Sequence, residues 1–129
     1  MTQKERQVEF SVVRYVPTVT RGRYINIGVL VVEKMEGLIL FADARFNCDQ
    51  TRILAFDPQA DVEMLQAISK DIQGKLSDEQ EREFLVHMME DSFSNSIQFS
   101  DRKTLQTTDP AAEVERLTRL YLTPVPPEL

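Results

Sequence analysis

Three observations predict an α+β fold built on one antiparallel sheet. Val8–Asp43 holds three apolar runs with β-type patterning, the apolar residues from Asp57 onward recur at helical spacing, and a short alternating run, Asn95–Ser100, falls between two helical stretches. The expected order is three strands, two helices, one strand and one helix. This gives an antiparallel sheet of about four strands, a three-stranded N-terminal meander plus a later edge strand, with three main helices packed on one face. At 129 residues the chain reads as a single domain, residues 1–129, large enough to cover roughly two-thirds of its unfolded surface without staples.

Met1–Gln7 is a polar start, too polar for a signal peptide. Val8–Val16 alternates, with Val8, Phe10, Val12, Arg14 and Val16 on one face and Glu9, Ser11, Val13 and Tyr15 on the other. Pro17 ends this run by removing a ladder donor, and the segment down to Arg23 is long enough for a loop or widened hairpin. Tyr24–Val32 is almost wholly apolar, as expected of a central strand covered on both faces. Simple alternation puts Ile25, Ile27, Val29 and Val31 on one side and Tyr24, Asn26, Gly28, Leu30 and Val32 on the other. Glu33–Glu36 is a charged turn, and Gly37–Asp43 a third strand.

Asn47–Phe56 shows no clear period beyond a short helical turn. Asp57-Pro58 carries the signature of a helix start, with the carboxylate as N-cap and proline in the first helical position. Val62, Leu65, Ile68, Ile72 and Leu76 then form the apolar stripe. Ser77 with Gln80 matches a capping box ahead of a second helix, whose stripe is Phe84, Leu85, Met88, Met89 and Phe93. Asp109-Pro110 repeats the capped start, and Val114, Leu117, Leu120 and Tyr121 mark a last helix.

Composition excludes several classes. With 42% hydrophobic and 28% charged residues the chain is globular rather than disordered, and no apolar run approaches the length of a membrane helix. The expected location is the cytoplasm. The net charge of −6 is uneven: Met1–Arg52 has eight Lys and Arg against six acids, and the remainder has seven against fifteen. A net acidic protein repels nucleic acid at long range, so an anion site must be local and belongs in the first half. Cys48 is the only cysteine and His87 the only histidine. Neither makes a metal cage or an activated nucleophile, and no cofactor is expected. Asp43 and Asp49 are an acid pair that no spacing rule singles out from the other acids.

The polar residues in and beside the first two strands are the candidate site: Arg14, Tyr15, Arg21, Arg23, Asn26 and Gly28. Arg14 interrupts an apolar stripe, a local conflict that calls for a partner such as Asp43 or Glu33, or for a ligand. Arg21 and Arg23 flank Gly22, so two guanidiniums and a closely approaching backbone can converge on one phosphate or carboxylate. Tyr15 and Tyr24 offer flat surfaces, Asn26 is a buried amide in need of partners, and Gly28 admits a bulge or a close backbone approach.

The pattern Arg14, Tyr15 and Pro17, then Arg21 and Gly22, then Asn26, Ile27, Gly28 and Val29, followed by Asn95–Asp101 and a closing helix from Asp109-Pro110, resembles a family of small bacterial and phage-associated proteins catalogued as domain of unknown function 3037. The resemblance implies no activity. Its association with kinase-like proteins of the toxin type implies a co-encoded protein partner.

No phosphate loop, nucleophile elbow or zinc motif is present, so no catalytic residue is assigned. Two functions remain. One is a non-catalytic module that docks on a protein through the Arg-rich loop; the other is a small enzyme or sensor for a nucleotide, phosphorylated ligand or nucleic acid at the same face. Nucleic acid is the weaker of these anions, because the chain lacks an extended basic stripe. Asn95–Ser100, as an edge strand, leaves self-association open.

Overall fold

The computed structural model describes residues 4–17, 22–91 and 96–122, with 87–91 as backbone alone. Its elements are β1 (Arg6–Tyr15), β2 (Ile25–Met35), β3 (Leu38–Phe46), α1 (Gln50–Phe56), α2 (Val62–Leu76), α3 (Glu79–Asp91), β4 (Ile97–Phe99), β5 (Lys103–Thr107) and α4 (Pro110–Tyr121). The sheet order is β3-β2-β1-β4, with β5 also on β1, and every pairing is antiparallel. The α+β class and the N-terminal meander are as the sequence predicts. Glu36 and Gly37, both at positive φ, make the two-residue turn between β2 and β3.

The helices divide between the two faces of the sheet instead of sharing one. Leu30 and Val32 of β2 pack with Ile72 and Leu76 of α2 and Leu85 and Val86 of α3. Val29 and Val31, pointing the opposite way, pack with Val8 and Phe10 of β1 and with Val114, Leu117 and Leu122 at α4. The physical reason is the continuous hydrophobicity of β2, which requires cover on both sides. A third cluster of Val13, Tyr15, Ile27, Ile53, Leu65 and Ile97 extends the α2 side under α1.

Register corrects the simple alternation in β2. Val13 pairs with Gly28 and Arg14 with Asn26, so Ile27 is an extra residue, a bulge. Below it the strand faces exchange. Asn26 comes onto the α4 side, directly opposite Arg14, while Ile27 joins the cluster under α1.

Two helix starts also differ from expectation. Asp57 closes α1: its N–H donates to Ile53 O at 2.8 Å, and its carboxylate accepts the Gln59 N–H at 3.1 Å. Helix α2 begins behind Asp61, which accepts the Met64 N–H at 3.0 Å. At α3 the cap is Asp78, accepting from the N–H groups of Gln80 and Glu81 at 2.9 and 3.1 Å, while Ser77 donates back to Gln73 O. Asp109 caps α4 as predicted, accepting from Ala112 N with Pro110 in the first turn. The weak period before Asp57 hides α1, capped by Asp49. In α3, Leu85 and Val86 are buried but Phe84 is 70% exposed; the side chains of His87, Met88, Met89 and Phe93 lie outside the described residues.

The later edge strand is longer than expected. Residues β4 and β5 run antiparallel along the whole of β1, interrupted near Ser100. There the Ser100 hydroxyl accepts the Val12 N–H at 2.8 Å while its own N–H donates to Val12 O at 2.9 Å. The side chain thus substitutes for a missing ladder carbonyl.

Candidate functional site

The predicted residues separate into two groups on opposite faces. On the α4 face stand Arg14, Tyr24 and Asn26. The Arg14 guanidinium carbon lies 4.3 Å from the centre of the Tyr24 ring, within cation–π range. A cleft of about 200 Å³ opens here, lined by Phe10, Val12, Arg14, Ser100, Asp101, Lys103 and Tyr121.

Neither acid proposed as an internal partner reaches Arg14. Glu33, buried in β2 rather than exposed in a turn, is held by two hydrogen bonds from Arg6, the one from Nε at 2.9 Å. These bonds raise the Arg6 pKa above its ordinary value against the opposing effect of burial. Asp43 turns back onto the backbone, accepting the Ala44 N–H at 2.8 Å. Among the described residues Arg14 therefore has no ion-pair partner, and its Nε is buried without a hydrogen bond. Asn26 Oδ1, across the ladder, is in the same condition.

The other half of Asn26 is structural. Its Nδ2 donates to Tyr121 O at 3.4 Å, and Asn47 Nδ2 donates to Leu122 O at 3.2 Å. Two amides thus cover carbonyls at the end of α4, which no intrahelical donor can reach. Asn47 carried no sequence signal for this task, since its partner lies at the far end of the chain.

On the opposite face Tyr15 and Arg23 gather at α1. Tyr15 is buried, its hydroxyl donates to Asp57 Oδ2 at 2.8 Å, and its ring meets Phe56 edge-on at 6.5 Å. Burial first, and then the Asp57 bond, push its pKa up to about 12. Arg23 lies over the other partner of that ring, 5.1 Å from the Phe56 centre. Tyr15 is thus a core pin rather than an open stacking surface. Gly28 has a packing role: a Cβ there would sit 2.6 Å from the Phe46 ring. Arg21 lies outside the described residues, so its convergence with Arg23 is not part of this geometry.

Sequence reasoning missed Lys103, which faces the Arg14 cleft from β5. The strand itself, with Leu105 as its single large apolar residue, gives little alternation to detect. Cys48 is half-buried beside Ser69, 3.2 Å from its hydroxyl; burial raises its pKa, opposed by Ser69 and Arg52. Among the described residues no group of three or more metal-ligating side chains is present, and no helix is long and apolar enough to cross a membrane.

Comparison with curated proteins and with solved structures gives no match. A family model matches residues 10–122, which run from the middle of β1 past the end of α4 and include both groups of candidate residues. The chain therefore belongs to the family described as Protein of unknown function (DUF3037).

Proposed function

We propose that this protein is a non-catalytic interaction module of the bacterial cytoplasm that docks on another protein through the α4-side face of β1 and β2. The observation that carries this reading is the Arg14 guanidinium beside Tyr24, without an ion-pair partner among the described residues and with its Nε buried and unbonded, at a cleft that Lys103 also lines. A half-buried cation without a carboxylate is an unfavourable arrangement for an isolated fold, and a partner acid resolves it. Arginine beside an aromatic ring is also a common composition at interface hot spots. The cleft, about 200 Å³, is smaller than the roughly 300–1,000 Å³ of small-molecule sites, which favours a protein contact over a nucleotide.

The site in this reading is Arg14 with Tyr24, Asn26 and Lys103. Arg23, stacked on Phe56 across the sheet, contributes little. The partner that the family association suggests is a co-encoded protein of the kinase-like toxin type. The test is co-purification of that protein with the wild-type chain, R14A and R23A. The proposal expects loss with R14A and retention with R23A; retention with both overturns it.

A further inference from the structure

We infer that the Arg14 cleft receives one carboxylate, the side chain of an aspartate or glutamate on the docked protein. This rests on the docking reading above and specifies the chemistry of its central contact.

Charge selects the ligand. Among the described residues, Arg14 and Lys103 line the cleft together with one acid, Asp101, leaving a surplus of one positive charge. Tyr121, whose ring centre lies 6.1 Å from that of Phe10, lines the same wall without adding charge. A single negative charge matches this balance. A phosphate, carrying about −1.5 to −2 at neutral pH, exceeds it and meets Asp101 as well.

Shape points the same way. Tyr24 covers the guanidinium at 4.3 Å, and an arginine fork offers two parallel hydrogen bonds to a planar carboxylate. Phe10 and Val12 supply an apolar wall. It suits the methylenes of an acidic side chain and limits water around the ion pair. A cleft of about 200 Å³ admits a side chain of this size.

The test is a titration of the isotopically labelled full chain, observed by NMR at constant ionic strength, with the α-amide of N-acetylglutamate, whose side chain is its single carboxylate, or with inorganic phosphate or chloride. The acetylglutamate amide is expected to move the Arg14 Nε–H and Tyr24 resonances saturably, and phosphate to move them no more than chloride does. R14A should remove the response with the rest of the spectrum unchanged. K103E, at an exposed position that leaves the core intact, should weaken it and serves as the second variant if R14A fails to fold. A saturable response to phosphate that equals or exceeds the carboxylate response overturns the inference, as does a carboxylate response that persists in both variants. Partner recovery that survives R14A overturns the docking reading itself. Recovery lost in R14A without any saturable response to the acetylglutamate amide overturns the carboxylate assignment alone.

Discussion

Tyr15 and Gly28 illustrate how a residue chosen as functional acquires a structural explanation from its neighbours. Tyr15 is held protonated by burial and by Asp57, with a pKa of about 12 against about 10 for an unperturbed tyrosine. A pKa raised on folding means that the folded state holds the proton more tightly. The stabilisation is therefore complete below pH of about 10 and is lost as pH rises toward 12. Thermal melts across that range should show this loss, and Y15F should remove the Tyr15 contribution to it while costing about 1 kcal/mol at neutral pH. At Gly28 an added methyl meets the Phe46 ring and, at 3.2 Å, Arg45 O. G28A should destabilise by about 1–3 kcal/mol in urea unfolding, and F46L should recover part of that loss by withdrawing the ring. A G28A protein of unchanged stability would mean that the ring yields freely.

Most elements were legible, because β1, β2, α2 and α4 each state their type over several turns or alternations. The errors arose where one residue decides the outcome. Counting by twos cannot detect the extra residue at Ile27, yet that bulge brings Asn26 opposite Arg14. Asp57-Pro58 has the composition of a cap, but Asp57 already serves α1 and the distant Tyr15 hydroxyl, and Asp61 caps α2 instead. The end of α4 offers a direct measurement at this scale. N47A should lose about 1 kcal/mol, because it strips a helix-end carbonyl of its donor. N26A should lose less: its bond is longer, at 3.4 Å, and the mutation also removes the unpaired Oδ1. Chemical denaturation of the two variants, compared with wild type, checks the order. The edge of β3 is guarded in a similar way. Gln73 donates to Ala44 O at 3.0 Å and Asp43 takes the Ala44 N–H, so this stretch of open strand presents little to another chain.

Across the whole molecule, the two-sided cover of β2 determines what can be functional. The α2 side takes up Tyr15 and Arg23 in contacts with Phe56 and Asp57, whereas the α4 side leaves Arg14 beside a cleft, with no ion-pair partner among the described residues. The sequence identified Arg14 as a conflict within an apolar stripe, but it did not reveal that Arg6 claims Glu33, that Asp43 folds onto its own strand, or that Lys103 arrives from a later strand. Those outcomes depend on contacts between distant parts of the chain. The central claim is tested most directly by quantitative recovery of the proposed co-encoded partner on wild-type, R14A and R23A protein at equal urea-unfolding midpoints. Loss of the Arg14 contact should lower recovery by about tenfold or more, equivalent to about 1.4 kcal/mol, with R23A close to wild type. Equal recovery by R14A and wild type would contradict the account.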